Sequence, residues 1–141
     1  MLLHPLIHPP LVEALAAAGH GSKILLADGN YPVATGANRH ARVVYLNLRP
    51  GLLDAVTVLH AIQTAIPIEA ASVMAPGGDD PTIFAEFAES LPGIELEHLQ
   101  RHEFYATARG EDTAVVIATG ELKHFGNLLL TVGVAPMEAA S

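Results

Sequence analysis

The sequence predicts an α/β protein, a three-layer α/β/α single domain with a largely parallel central sheet. Short apolar runs typical of buried strands alternate along the chain with segments of helical spacing. Such alternation favours parallel strands joined by crossover helices on both faces of a sheet. Because 141 residues can form one hydrophobic core but not two ordinary domains, we expect one domain over residues 1–141, with 135–141 as a flexible tail.

The strands are predicted from apolar runs that end at turn residues. The run Lys23 to Ala27 stops at Asp28, and Gly29 follows at once, which is the pattern of a buried strand leading into a turn. Thr113 to Thr119 is the clearest central strand. Further strands are predicted at 42–46, 70–75, 94–98 and 128–132.

The helices are predicted from apolar spacing and from their end signals. Pro9 and Pro10 suit the first turn of a helix, because proline lacks the N–H that would be unpaired there, and Gly19 is a natural stop. Asp80 and Pro81 predict an N-cap and a first helical residue in the same way. The remaining helices are expected from Pro50 to Gln63 and over 101–109, and the segment between Asp28 and the second strand is expected to be a loop.

Composition and charge exclude several classes of protein. Half of the residues are hydrophobic and 16% are charged, which excludes a disordered chain and favours a homo-oligomer that buries apolar surface between copies. A net charge of −8 with scattered basic residues argues against nucleic acid and anionic membranes as partners. The chain has no cysteine and no apolar run of about 20 residues, so we expect a cytoplasmic protein without disulfides or membrane spans.

His20 and Asp28 are the first candidates for chemistry. In open α/β sheets ligands bind at the carboxyl ends of strands, and Asp28 is a lone acid at such an end. Gly19 and Gly21 flank His20 and allow its imidazole to be held toward the following strand, so the two groups are expected to share one cleft. Histidine suits proton transfer near neutral pH. From the pattern alone, the alternative that His20 caps a helix and Asp28 caps a turn is the more common case.

Metal and nucleotide sites find little support in the sequence. His98 and His102 are four residues apart, but the predicted change from strand to helix between them separates their side chains. No Walker loop, dinucleotide fingerprint or nucleophile elbow is present. We therefore expect neither a metal nor a cofactor.

Several motifs together resemble a known family. They are Pro5-Leu6-Ile7, Leu11 to Leu15, Gly19-His20-Gly21, Ile24 to Asp28, Arg101 to Tyr105, Ala114 to Thr119, Gly120-Glu121, Phe125-Gly126-Asn127 and Gly133-Val134. In order and spacing this set resembles the ribose pyranase/fucose mutarotase (RbsD/FucU) family, and its second half resembles the fucose branch. The resemblance covers nearly the whole chain, although residues 33–95 match mainly in layout.

The resemblance implies a metal-free enzyme that interconverts ring forms of a free monosaccharide. It also implies a ring-shaped homodecamer with active sites at subunit interfaces. By position, His20 matches the family's proton-transfer histidine and Asp28 its sugar-binding carboxylate. Arg101 matches the arginine of the fucose branch, and His102 is a lesser candidate for that role. The segment Phe125, Gly126 and Asn127 matches a substrate-binding segment.

The chain departs from the family pattern in that last segment. Phe125 stands where the family has tyrosine, so Tyr31 or Tyr105 is a candidate to supply the missing hydroxyl, and Asn30 replaces a histidine common after the Asp28 turn. The expected function is mutarotation of L-fucose or a similar aldose. The alternatives are a D-ribose pyranase, which Arg101 and Tyr105 disfavour, and a non-catalytic sugar-binding ring protein.

Overall fold

The computed structural model describes residues 1–137, so residues 138–141 of the predicted tail lie outside the described part of the chain. In chain order the helices and strands are α1 (Pro9–Ala17), β1 (Lys23–Ala27), α2 (Val33–Gly36), β2 (Arg42–Tyr45), α3 (Ala55–Gln63), β3 (Ile68–Met74), α4 (Thr82–Ser90), β4 (Leu96–Leu99), α5 (Arg101–Ala108), β5 (Thr113–Ala118) and β6 (Leu128–Val132). Helices and strands alternate as far as β5, as the sequence predicts, and β6 follows β5 without an intervening helix.

The six strands form one sheet in the order β2-β5-β1-β6-β3-β4. β1 pairs in parallel with β5, as do β5 with β2 and β3 with β4, whereas β6 runs antiparallel to both of its neighbours, β1 and β3. The largely parallel three-layer α/β/α prediction is confirmed. The antiparallel strand lies in the middle of the sheet rather than at its edge.

The strand β1 shows how the two faces of the sheet are buried. Alternate residues of a strand point to opposite faces, and Ile24 and Leu26 belong to one apolar cluster while Leu25 and Ala27 belong to the other. All four are fully buried. The first cluster is completed by apolar residues of α1, α3 and α4, and the second by α5 together with Tyr31, so helices cover both faces.

Two helices begin later than the sequence predicts. α3 starts at Ala55 rather than Pro50, because the Asp54 carboxylate accepts a 2.9 Å hydrogen bond from the Thr57 N–H and caps the helix there. α4 starts at Thr82 with Pro81 in the N-cap position, so the prediction of an Asp80 cap was wrong.

The short helix α2 is a second local difference, because it lies in a segment predicted as a loop. The Tyr31 hydroxyl donates a 3.2 Å hydrogen bond to the Gly36 carbonyl and holds this single turn against the sheet. A Cβ atom at Gly36 would lie 2.9 Å from the Tyr31 ring, so the close approach requires glycine.

The ends of the strands form two opposite sides of the sheet, which are distinct from its outermost strands, and these two sides matter for function. The parallel strands all end at one edge, which we call the C-terminal edge, and because β6 is antiparallel it begins there. The residues that precede the parallel strands, and those that follow β6, lie at the opposite edge. Among residues 1–137, no helix is both long and apolar enough to cross a membrane.

Candidate functional site

A cavity of about 130 Å³ opens at the C-terminal edge of the sheet. Its position agrees with the general rule that ligands of open α/β sheets bind beyond the carboxyl ends of the strands. Charged, amide and aromatic side chains converge on it from three segments, which are the turn after β1, the helix α5 and the loop before β6. The lining residues are Asp28, Asn30, Tyr31, Met74, Arg101, Tyr105, His124, Phe125 and Asn127.

The topology explains why residues so distant in sequence meet here. Asp28 follows β1 directly, and Asn127 precedes the neighbouring antiparallel strand β6, so both lie at the same edge on adjacent strands. Arg101 is the first residue of α5, which begins just after β4. The sheet therefore brings together three of the polar residues that the sequence singled out.

Asp28 is a buried carboxylate, with 6% of its surface exposed. One carboxylate oxygen accepts a 2.9 Å hydrogen bond from the backbone N–H of Asn30. Burial raises the pKa of Asp28 above its usual range, the backbone N–H groups of Asn30, Tyr31 and Gly126 counteract that rise, and the negative charge of Glu121 adds to it. Asp28 is thus a carboxyl group whose proton affinity is strengthened inside a ligand-sized cavity.

Asn127 is as buried as Asp28 and is hydrogen-bonded to it. Its Oδ1 accepts a 2.7 Å hydrogen bond from the backbone N–H of Asp28. A side-chain amide has one acceptor oxygen and a nitrogen with two donors. Because the oxygen is occupied by Asp28, the nitrogen of Asn127 remains as the group able to donate to a ligand hydroxyl.

Arg101 and His102 are adjacent in sequence but have different surroundings. Arg101 lines the cavity with Asp28. His102 lines a neighbouring open hollow with Pro32, Tyr105, Ala106 and Arg109. The placement therefore favours Arg101 over His102 as the group that contacts a ligand beside Asp28.

Two tyrosines and one phenylalanine contribute apolar surface to the wall. The rings of Tyr31 and Tyr105 lie 5.5 Å apart and are tilted by 43°. Since the Tyr31 hydroxyl is engaged with the Gly36 carbonyl, Tyr105 is the tyrosine whose hydroxyl remains to contact a ligand. Phe125 has a φ of 60°, a backbone conformation that side chains with a Cβ rarely adopt, so its ring is held in the wall at a cost in strain.

His20 lies at the opposite edge of the sheet from Asp28. It precedes β1, whereas Asp28 follows it, and five extended residues span about 16 Å. The Nε2 atom of His20 lies 3.1 Å from Oε1 of Glu69, at the start of β3, and both side chains are about half exposed. The expectation that His20 and Asp28 share one cleft is therefore wrong within a single chain.

Three residues near the cavity were not predicted as site residues. Met74 ends β3 at the same edge as Asp28, a position that the strand prediction alone could have indicated. His124 lines the cavity and directly precedes Phe125, but as a lone histidine it carried no signal in the sequence. Glu121 was noted only as part of the Gly120-Glu121 motif, with no role of its own, and it is buried close to Asp28.

The two histidines considered as an unfavoured metal site, His98 and His102, have separate surroundings. The ring of His98 packs edge-on against Phe84, and its Nε2 lies 3.4 Å from Asp80 Oδ1, whereas His102 faces the hollow beside Arg109. Within residues 1–137 there is no group of three or more histidine, cysteine or acidic side chains that could hold a metal ion.

Comparison with known protein families gives one decisive match. Residues 1–135 match the model of the RbsD / FucU transport protein family. The chain belongs to the RbsD/FucU family. The family prediction made from the motifs is thereby confirmed.

Other members of the family share both sequence and fold with this one. The chain is 30% identical over 142 residues to the L-fucose mutarotase of Haemophilus influenzae, with 96% of each protein covered. It is 27% identical to that of Actinobacillus pleuropneumoniae, with 96% of this chain and 97% of the relative covered.

Two solved structures of the family were determined with sugars. Bacillus subtilis RbsD complexed with D-ribose has a TM-score of 0.83 and 26% identity, and covers 96% of this chain and 100% of its own. The fucose mutarotase of Streptococcus pneumoniae in complex with L-fucose has a TM-score of 0.82, with the same identity and coverage. The likeness therefore extends over essentially the whole fold.

Proposed function

We propose that this protein is a monosaccharide mutarotase, which interconverts the anomers of L-fucose or a similar aldose. The observation that carries the proposal is the convergence of Asp28, Arg101 and Asn127 on one cavity at the C-terminal edge. A volume of about 130 Å³ suits a single sugar ring, since sites for drug-sized ligands measure about 300–1,000 Å³. Relatives of 27% and 30% identity that are L-fucose mutarotases support the same reading.

The binding groups match the chemistry of a sugar. The Asp28 carboxylate accepts hydrogen bonds from hydroxyl groups, and the Asn127 nitrogen and Arg101 guanidinium donate to hydroxyl or ring oxygens. Phe125 and Tyr105 supply aromatic surface for the apolar C–H face of the ring, and the Tyr105 hydroxyl takes the place of the phenol absent at Phe125.

Mutarotation itself needs only proton transfers. A base removes the proton of the anomeric hydroxyl, the bond between C1 and the ring oxygen breaks, and the ring oxygen receives a proton, which gives the open-chain aldehyde. Rotation about the bond between C1 and C2 and closure by the reverse transfers give the other anomer. Because the reaction already proceeds unaided, acid–base catalysis of about 10²- to 10⁴-fold suffices.

We assign the proton transfer to His20, and this assignment requires two copies of the chain. His20 lies at one edge of the sheet and Asp28 at the other, so a complete site forms only where the His20 edge of one copy meets the Asp28 edge of the next. Such a head-to-tail contact repeats from copy to copy and closes into a ring when the rotation allows. The ring-shaped homodecamer implied by the family resemblance, and its location in the cytoplasm, belong to this proposal.

The experiment that tests the function is two-dimensional exchange NMR on a panel of free aldoses, with L-fucose and D-ribose included. We expect anomer exchange of L-fucose to be faster than in buffer alone, and to return to the buffer rate in His20→Ala. His124→Asn is the matched control, because His124 is the imidazole that lines the Asp28 cavity of the same chain. Full activity in His20→Ala, with activity lost in His124→Asn, would contradict the assignment of His20.

Two outcomes distinguish the alternative functions. D-ribose pyranase activity would appear as faster exchange between pyranose and furanose signals of ribose, with fucose unaffected. Sugar binding measured by calorimetry without faster exchange of any aldose would instead identify a non-catalytic sugar-binding protein. Analytical ultracentrifugation of the same sample measures the number of copies in the assembly.

A further inference from the structure

Glu121 is a buried carboxylate that lies beside the sugar cavity but does not line it. Only 5% of its surface is exposed, and charged side chains are rarely buried without partners. It follows β5 at the C-terminal edge and belongs to the loop of residues 119–127, which also carries Phe125 and Asn127. A buried carboxylate at this position therefore needs a structural or functional explanation.

The carboxylate of Glu121 joins two parts of the fold. Its Oε1 accepts a 3.2 Å hydrogen bond from the backbone N–H of Ala55, the first residue of α3. Its Oε2 accepts a 3.1 Å hydrogen bond from the N–H of Lys123. The positive end of the α3 dipole stabilises a negative charge here, so the 119–127 loop is anchored to the start of α3.

The backbone of Glu121 joins the same loop to the Asp28 turn. Its carbonyl accepts a 2.8 Å hydrogen bond from the N–H of Gly29, the residue after Asp28. Its N–H donates to Oγ1 of Thr119, which in turn donates to the carbonyl of Ala27, the residue before Asp28. The two loops that supply Asp28 and Asn127 are therefore fixed against each other through Glu121.

Gly126 lies between the side chains of Glu121 and Asp28. A Cβ atom at Gly126 would lie 2.7 Å from Cγ of Glu121 and 3.4 Å from Cβ of Asp28. The pKa of Asp28 is raised mainly by burial, and the negative charge of Glu121 raises it further. The other titratable or charged groups around the cavity are Tyr31, Arg101, Tyr105 and His124.

We propose that Glu121 is a positioning residue, which acts on the sugar through Asp28 by fixing the two loops and by placing a second negative charge behind the Asp28 carboxylate. The part of this inference that concerns sugar binding rests on the proposed function. The part that concerns the effect of Glu121 on Asp28 does not, because it can be measured without any sugar.

The experiment combines a titration with kinetics. In Glu121→Gln the charge is lost, and we expect the Asp28 carboxyl ¹³C signal to titrate at lower pH than in the wild type. We also expect the KM for L-fucose to rise by roughly tenfold or more, as for the loss of one hydrogen bond to a charged group, with a smaller change in kcat. Glu89→Gln, an equal change on the exposed surface of α4, should leave both quantities unchanged.

A shorter side chain separates charge from geometry. Glu121→Asp keeps the charge but cannot reach both the Ala55 and Lys123 N–H groups, so the Asp28 titration should stay near that of the wild type while KM rises. A folded Glu121→Gln protein with the Asp28 titration and KM of the wild type would overturn the proposal.

Glu121→Asp decides the question if Glu121→Gln does not fold. This variant keeps the negative charge and loses the reach, so an Asp28 titration like that of the wild type together with a raised KM supports the proposal. A KM equal to that of the wild type would overturn it. If the wild type accelerates the exchange of no aldose, the proposed function fails, whereas the Asp28 titration still tests the role of Glu121.

Discussion

The backbone N–H of Asp28 donates a 2.7 Å hydrogen bond to Oδ1 of Asn127, and both residues are buried. This bond crosses between β1 and the antiparallel strand β6, which are neighbours in the sheet although they come from opposite halves of the chain. It holds the acceptor and the donor of the proposed sugar site side by side before any ligand arrives. The site is therefore preorganised by the sheet itself.

Replacing Asn127 should damage both stability and function. Asn127→Ala leaves the buried N–H of Asp28 without its acceptor, so we expect the free energy of unfolding to fall by about 1–3 kcal/mol and the KM for the sugar to rise. Urea denaturation and exchange NMR measure the two effects. Asn47→Ala, at an exposed position, is the control, and equal stability of the two variants would contradict the role of this bond.

The division of the site between two copies predicts complementation. His20→Ala and Asp28→Ala should each be inactive, but after the two variants are unfolded together and reassembled, one copy supplies an intact Asp28 and its neighbour an intact His20. In rings assembled at random from equal amounts of the two variants, about a quarter of the interfaces should have both an intact His20 and an intact Asp28. About a quarter of the wild-type activity should therefore return. A mixture that stays inactive although mixed rings form would show that His20 and Asp28 do not share a site.

The raised pKa of Asp28 predicts a pH dependence of stability. A carboxyl whose pKa is higher in the folded state binds its proton more strongly there than in the unfolded chain. The folded state therefore loses stability as the pH rises and the carboxyl ionises. Asp28→Asn should therefore unfold at higher urea concentration than the wild type near neutral pH. The difference should shrink as the pH falls through the folded pKa of Asp28, and it should come with loss of sugar binding. A difference that is independent of pH would contradict this account.

The aromatic wall predicts unequal roles for its two tyrosines. Tyr105→Phe should lower kcat/KM for L-fucose, because the hydroxyl that remains for the ligand is lost. Tyr31→Phe should mainly lower the free energy of unfolding, by about 0.5–1.5 kcal/mol, since its hydroxyl bonds the Gly36 carbonyl. Steady-state kinetics and urea denaturation on both variants test the contrast, and the reverse pattern would assign the ligand contact to Tyr31.

Gly126 should tolerate no side chain. In Gly126→Ala the new Cβ would lie 2.7 Å from Cγ of Glu121 and 2.9 Å from the carbonyl oxygen of Lys123, so we expect a loss of about 1–3 kcal/mol of stability from overpacking. The control is Gly78→Ala, where nothing lies within 4 Å of the added atom. Thermal unfolding compares the two variants. Similar unfolding midpoints would show that the 119–127 loop accommodates the added methyl group without a loss of stability.

The sequence predicted the sheet better than the helix starts. The strand Lys23–Ala27 was predicted with its observed bounds, because a short apolar run between turn residues has few other interpretations. The start of α3 was missed because Pro50 is a plausible first residue, whereas the Asp54 cap decides the start in the structure. Propensity identifies candidates for a helix start, and a hydrogen bond selects among them.

The candidate site was predicted in part. Asp28, Arg101 and Asn127 do meet, because strand ends on one edge of a sheet can be placed from the order of the elements. The expectation that His20 lies beside Asp28 was wrong, because the flanking glycines do not determine at which end of β1 the His20 side chain lies. The position of Glu121 was not predictable from one sequence, since its burial depends on a loop folding back over Asp28.

The central place of β6 also bears on how the protein is made. Lys23 and Thr131 are paired across the sheet although they are 108 residues apart in the chain, and the strands β2, β5 and β1 meet β3 and β4 only through β6. Until residues 128–132 have been synthesised, the strand that pairs with both β1 and β3 is missing, which leaves one side of each of these strands without a partner. Completion of the sheet is thus a late event of biosynthesis, and a nascent chain halted before β6 should be a substrate for chaperones.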